Sequence, residues 1–596
     1  MQILLTHVGN KMEQKHYTTE RNVQIVIALL KEYGIKRVVA SPGTTNMTFV
    51  ASIQSDPFFE VYSSVDERSA AYLACGMAAE SGEPVVISCT GATASRNYMS
   101  GLTEAYYRKL PVLAITSHRG DDAIGHLYDQ QIDRRSIPND IAMVSVSVPL
   151  VKQMADCRFC INETNKAILA LTRHGGGPAH INLHTAYSQD FSVRELPKVQ
   201  KVNYYTPFNE LPELPEGKRV AIFIGSHKPF TLSETEAIDR FCEAQDAVVF
   251  CDHTSGYKGK FETHFSVFFT QDNYRSSLLD VDILIHLGEV SADLARISAG
   301  GVWRVSEDGQ IRNTFGNLRR LFEMPEEFFF RSYTPAQYTP HTSFYDACQE
   351  ELKECYAKLP ELPFSNMWMA RQIHDHLPEN SYFFMGILHS LRSYNYHQLP
   401  KSVISSSNVG GFGIDGGISA LVGSSLINKD KLHIGVFGDL AFFYDMNVMG
   451  NRHVGNNVRI MLVNNGRGNE FRNYGHICSC LGEDADRFVA AAGHYGNKSP
   501  QLVKHYAEDL GYEYITASTK EEFLQQADRF LNPEIGDKPM IFEVFTEMHD
   551  ESESNKIMRT FLTDSKTVIK QKIVGTVRTA LGKGGIESLK RILRRY

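Results

Sequence analysis

Short apolar runs ending in Gly, Ser or Thr recur along this chain, with segments of helical pattern between them. "KRVVASPG", "EPVVISCTG" and "LPVLAITS" have the length and β-branched content of buried strands. Two antiparallel strands can be joined by a tight turn, but strands separated by helices require crossovers and lie parallel. The repeat therefore dictates an α/β architecture with mainly parallel sheets. In such sheets, binding sites form at the carboxyl ends of the strands.

The repeat falls into three blocks, so the expected fold is three α/β domains. The first covers residues 17–196. It opens with "TTERNVQIVIALLKEYGI", a predicted helix with Thr19 as N-cap and Val23, Val26, Ile27 and Leu30 on one face. The second, residues 202–360, contains "RVAIFIGS", "DAVVFCDH" and "DILIHLGE". A Pro-containing linker, "KLPELPFSN", leads to the third, residues 367–549, with "SYFFMGI", "KSVISSS", "LHIGVFGD", "VRIMLVNNG" and "KPMIFEVF". Residues 1–16 are expected to be a flexible N-terminus and residues 550–596 a basic tail. From Glu551 onward, 46 residues carry eleven Lys or Arg against four Asp or Glu. Ile569, Ile573 and Val577 recur every four residues among Lys566, Lys570, Lys572 and Arg578. That spacing suits a basic amphipathic helix for a membrane surface or an acidic protein partner. The alternative is a surface helix docked on its own body.

The formal net charge of -8 argues against a general nucleic-acid binder. No run approaches the ~20 apolar residues of a membrane-spanning helix, and the N-terminal apolar run is too short for a signal peptide. Cys157 and Cys160 form one C-x-x-C and Cys478 and Cys480 a C-x-C. Without a second C-x-x-C, these read as ordinary thiols of a reducing, cytoplasmic compartment rather than a structural zinc.

"GDLAFFYDMN" begins at Gly438, and "LVNNGRG" brings Asn464 and Asn465 about two dozen residues later. A strand–helix–strand crossover returns both strand ends to one sheet edge, so Asp439 and Asn465 can converge. A carboxylate and a carboxamide oxygen are too few for a complete cage. They suit Mg²⁺ or Ca²⁺ shared with phosphates.

This pattern resembles the G-D-x through N-N signature of thiamine-diphosphate-dependent enzymes. The resemblance implies Mg²⁺ held by Asp439, Asn465 and the carbonyl of Arg467, a position often Gly in the family. It also assigns Gly438 and Leu440 to the cofactor site. "SSVDERSAAYLACGMAAESGEPVVISCTG" is similar to the pyrimidine-binding region of the same family, with Glu67 as the cofactor-activating carboxylic acid. In a dry site such a group shares a proton with the aminopyrimidine ring; read alone, "DERSA" is an ordinary acidic helix start. "GGFGIDGGISA" resembles the loop before the diphosphate site, with Ile414 as the apolar residue that bends the cofactor. It lacks the context of a dinucleotide fingerprint. The resemblance covers roughly residues 20–550 and is weakest in the middle block. It implies pyrimidine, central and diphosphate domains, and a homodimer or homotetramer with Glu67 of one subunit facing Asp439 of another.

Within the family, "SPGTTN", "VDERSAAYLACGMA", "CTGATASRN", "GIDGGIS" and "GDLAFFYDMN" look most like the 2-succinyl-5-enolpyruvyl-6-hydroxy-3-cyclohexene-1-carboxylate synthases of menaquinone biosynthesis. Arg119, Gln130 and Arg392 fall where that branch holds substrate carboxylates. Thr45 and Val409 stand where it has arginine, and Glu470 replaces an apolar residue before Phe471. Loss of two cations and gain of an anion disfavours a dicarboxylate acceptor. The implied activity is decarboxylation of a 2-oxo acid with transfer of the acyl-anion equivalent to an acceptor. The alternatives are a simple decarboxylase, with Glu470, His389 or His476 delivering the proton, and a non-catalytic scaffold tethered by the basic tail.

Overall fold

The alternation of apolar runs and helices resolves into parallel sheets in a computed structural model that describes residues 15–291, 296–493 and 499–563. The chain divides into two units, one of Met1–Glu210 with Asp308–Glu323, the other of Leu211–Glu307 with Met324–Tyr596.

The first unit holds a six-stranded sheet in the order Glu60–Ser63, Arg37–Ala40, Val85–Thr90, Val112–His118, Ala179–His184, Val144–Val148. Every pairing is parallel. The opening helix is Arg21–Glu32, and Val23, Val26, Ile27 and Leu30 are fully buried on it. Its cap differs from the sequence reading: Glu20, not Thr19, is the N-cap residue. Thr19 Oγ1 lies 2.8 Å from Ser188 Oγ, while Glu20 Oε1 accepts from the backbone N–H groups of Ala186 and Ser188. The short strands Asn203–Tyr205 and Leu318–Phe322, both from the second sequence block, pair in parallel within this unit.

In the second unit, five strands of the middle block run Glu262–His264, Val248–Cys251, Val220–Ile224, Asp280–Leu287, Ser298–Val305, again in parallel. The third sheet runs Ile404–Ser406, Tyr382–Met385, His433–Gly438, Val458–Asn464, Met540–Phe545, Glu513–Ala517. Its strand Val458–Asn464 is buried along its whole length. Each aliphatic side chain buried there contributes roughly 1.5–3 kcal/mol, which fixes the strand ends that carry the site. Gly438 pairs with Val463 across the register, so the next residues on both strands emerge together at the carboxyl edge.

The body extends past the boundary drawn at residue 550. Met548–Thr560 is a helix that buries Glu551, Ser554 and Met558, and Ser554 Oγ lies 2.8 Å from Ser365 Oγ. The amphipathic stretch around Ile569–Val577 lies outside the described residues. Among the described residues, no helix is long and apolar enough to cross a membrane. Cys157 and Cys160 sit on the helix Met154–Ala170 as free thiols.

Candidate active site

Asp439 is the first residue of the helix Asp439–Asp445, directly after the strand His433–Gly438. Its side chain is buried. Leu440 N–H donates to Oδ1 at 2.7 Å, while Asn465 N–H and Arg467 N–H donate to Oδ2 at 3.2 and 3.0 Å. Burial pushes the carboxyl up to about 6, against the backbone N–H groups that pull it down. The two asparagines divide their roles. Asn464 is structural: its Nδ2 donates to Glu543 Oε1 at 2.8 Å and its Oδ1 accepts from Gly466 N–H. Asn465 Oδ1 is buried without a hydrogen-bond partner. A desolvated carboxylate beside an unpartnered carboxamide oxygen is the donor set of a hard divalent cation, so these residues fit the expected metal.

Asp439 and Asn465 open on a cavity of about 130 Å³ that Gly438, Leu440, Ile414 and Leu388 also line. Gly438 has no atom within 4 Å of where a Cβ would stand, so its side of the cradle is open. The bulky Arg467 does not fill the cradle. Its guanidinium turns away to Asp486 at 2.5 Å, where Arg472 also pairs at 2.6 Å. Leu388 holds a left-handed backbone, φ 71°, immediately before His389, a conformation that costs on the order of 1–3 kcal/mol in a non-glycine residue.

A second cavity, about 420 Å³, shares His389 and Glu470 with the first. Arg392 and Glu470 both line it and pair with each other at 2.5 Å. The arginine expected to hold a substrate carboxylate is thus committed to the unexpected glutamate. His389 Nε2 donates to Glu551 Oε2 at 2.8 Å, and its Nδ1 lies 3.2 Å from Asn473 Nδ2. Burial alone pulls the His389 imidazole down, but the Glu551 hydrogen bond and charge outweigh it and hold it above the ordinary value. His476 lines the same cavity and caps the following 3₁₀ segment, its Nδ1 accepting from Cys478 N–H at 3.1 Å. Glu551 and Arg559, which line or support this wall, were hidden in the segment read as a tail. Their signal was an acidic patch, "HDESES", ahead of the basic run. Val409, in the same unit, is buried.

In the first unit, Glu67 opens the helix Glu67–Ser81, capped by Asp66, whose side chain accepts from Arg68 N–H and Ser69 N–H. Glu67 is half-buried and accepts from Asn97 Nδ2 at 3.3 Å. Val65, Tyr72 and Leu73 beside it are exposed, although the opposite face of the helix is packed. Arg119 donates to Tyr187 Oη at 2.8 Å and pairs with Asp129 at 3.1 Å. Gln130 is exposed with φ 56°; its neighbour Gln131 donates to the Gly120 carbonyl at 2.7 Å. Thr45 is buried and donates to the Ser117 carbonyl at 2.7 Å. Sequence reasoning missed Arg134, a buried guanidinium at the same sheet edge. It donates to Thr116 Oγ1 and Asn182 Oδ1, both at 2.6 Å, and burial lowers it to about 10.

Residues 21–137 match the family described as thiamine pyrophosphate enzyme, N-terminal TPP binding domain. The chain is similar along most of its length to curated relatives named 2-succinyl-5-enolpyruvyl-6-hydroxy-3-cyclohexene-1-carboxylate synthase. The protein of that name from Bacteroides thetaiotaomicron is 27% identical over 551 residues, covering 89% of this chain and 96% of the relative. That from Bacteroides fragilis is 28% identical over 555 residues, covering 89% and 97%. That from Flavobacterium psychrophilum is 26% identical over 553 residues, covering 88% and 95%. The resemblance to thiamine-diphosphate-dependent enzymes therefore rests on the first domain and on the whole length together.

Proposed function

We propose that this chain is a thiamine-diphosphate- and Mg²⁺-dependent enzyme that decarboxylates a 2-oxo acid and transfers the acyl-anion equivalent to an acceptor. The observation that carries the reading is the unpartnered Asn465 Oδ1 beside the desolvated Asp439 carboxylate, at the adjoining ends of two parallel strands. Asp439, Asn465 and the Arg467 carbonyl would hold the metal, and Ile414 and Leu440 would support the cofactor's rings. When bound, thiamine diphosphate supplies the electron sink that makes loss of CO₂ feasible.

The chain's own residues supply the rest. Glu67 would be the carboxylic acid that shares a proton with the aminopyrimidine of a bound cofactor. His389 stands at the junction of the two cavities, where the Glu551 carboxylate holds the ring and favours its protonated form. The exposed apolar residues flanking Glu67 support a second subunit covering that helix, in a homodimer or homotetramer with sites between subunits. Calorimetry with thiamine diphosphate and Mg²⁺ tests the reading. Metal-dependent binding supports it, and no binding by the folded protein refutes it.

The acceptor need not be the dicarboxylate type. Thr45 and Val409 are buried, and Arg392 is paired with Glu470. That pairing, with the His389 imidazole at the cavity junction held above its ordinary value by Glu551, favours a second reading: simple decarboxylation with proton capture and aldehyde release. Incubation with 2-oxo acids, with and without candidate acceptors, separates them. Free aldehyde that persists despite acceptors identifies the decarboxylase.

A further inference from the structure

A cluster in the middle sheet is unrelated to the cofactor site. The strands Val248–Cys251 and Glu262–His264 pair in parallel with His264 directly opposite Cys251. Side chains two apart on a strand share a face, so Glu262 stands beside His264, and His253, just past the strand end, brings its ring to 4.3 Å from that of His264. The result is a thiol, a carboxylate and an imidazole whose ligand atoms all lie within 4.8 Å of one another. All four residues are more than nine-tenths buried.

The histidines are oriented as metal ligands are. His264 directs Nε2 at Glu262 Oε1, 2.8 Å away, and its Nδ1 has no partner. His253 directs Nε2 at the carbonyls of His397 and Tyr394, at 2.8 and 3.0 Å, and its Nδ1 likewise has none. Both rings thus place the proton on Nε2 and leave a buried lone pair on Nδ1, and their centroids are 4.3 Å apart. An imidazole whose far nitrogen is held by a carboxylate or carbonyl is the usual outer support of a metal-bound histidine. Lys258 Nζ, 3.8 Å from Glu262, donates to neither Nδ1.

We propose that Cys251 and the Nδ1 atom of His264, with His253 beside them and Glu262 holding the His264 ring from outside, form a binding site for a borderline-soft divalent metal of the zinc class. A thiol and two imidazole lone pairs exclude Mg²⁺, which takes oxygen ligands. Binding exchanges the Cys251 S–H proton, released to solvent, for a sulfur–metal bond. Thiolate and carboxylate together balance the dication. No redox change is involved.

The test uses the full-length chain in excess Mg²⁺, titrated with CoCl₂ and with ZnCl₂. The expected result is one tightly held equivalent of Co²⁺, displaced by Zn²⁺, with a thiolate-to-cobalt charge-transfer band. Cys251→Ser should abolish the band and His264→Gln should weaken binding at least about 100-fold, while Cys348→Ser, a buried thiol elsewhere, should leave both intact. X-ray absorption of the wild-type zinc form guards against variants that fail to fold, and should show one sulfur with nitrogen or oxygen neighbours. Absence of stoichiometric metal, a band that survives Cys251→Ser, or a zinc shell without sulfur would overturn the proposal.

Discussion

Glu551 offers a perturbation whose size and pH dependence follow from its contacts. It is fully buried and accepts from Asn366 N–H at 3.1 Å, Thr546 Oγ1 at 2.8 Å and His389 Nε2 at 2.8 Å. Glu551→Ala leaves a helix N-terminus, a hydroxyl and an imidazole without their acceptor. Breaking a buried pair of this kind costs about 3–5 kcal/mol. Glu551→Gln keeps the volume and an acceptor for Asn366 and Thr546 but removes the charge. Its cost is the difference between a charge-assisted and a neutral hydrogen bond, about 1–2 kcal/mol. The sign with pH follows from His389, whose folded-state value lies above the ordinary one. Its contribution is fully present below the unfolded value of about 6.5 and is lost as pH rises through the folded value. The Gln penalty should therefore be largest near about pH 6 and shrink by about pH 9. Urea midpoints for the three proteins at both pH values, with hydrogen exchange over Asn366–Ile373, measure this. A Gln penalty as large at the higher pH, or an Ala penalty below about 1 kcal/mol, would refute the reasoning.

Asn465→Ala and Asp439→Ala should each weaken metal-dependent thiamine diphosphate binding at least about 100-fold, read by calorimetry at several Mg²⁺ concentrations. Asn464→Ala should instead lower stability, because its carboxamide serves Glu543 and Gly466; the thermal midpoint is the readout. Glu67→Gln should leave cofactor affinity nearly unchanged but slow exchange of the cofactor's C2 proton by roughly 10²–10⁴-fold, measured by quenched-flow NMR. Val65→Asp with Tyr72→Asp should shift sedimentation toward the monomer and reduce activity together, since both residues flank Glu67 on an exposed apolar face.

The sheets were legible because their central strands are buried on both sides. Continuous runs such as "VRIMLVNNG" and "LHIGVFGD" have no other use in an α/β body. Edge strands were harder. Glu60–Ser63 is exposed at three consecutive residues and Glu513–Ala517 is only partly buried, so both mix polar and apolar residues. Ala179–His184 escaped notice for another reason. It alternates His180, Asn182 and His184 with Ile181 and Leu183, and its polar face carries the buried network around Arg134. The convergence of Asp439 and Asn465 was readable from a short spacing on one crossover. The His389–Glu551 pair was not, because its partners are 162 residues apart. No local pattern in "HDESES" distinguishes a carboxylate that turns inward from one on a solvated helix. Arg467 illustrates a third limit: the sequence shows a large side chain beside the cradle, but only its ion pair shows that it points elsewhere.

That ion pair has a kinetic meaning. Arg467 and Arg472 grip one carboxylate, Asp486, from either end of the loop that follows Asn465. The loop is thereby pinned at two points, and with it the Arg467 N–H that donates to Asp439. Any rearrangement that moves this N–H must part both guanidinium contacts. Such a rearrangement would be slowed by the pair of contacts and quickened by salt.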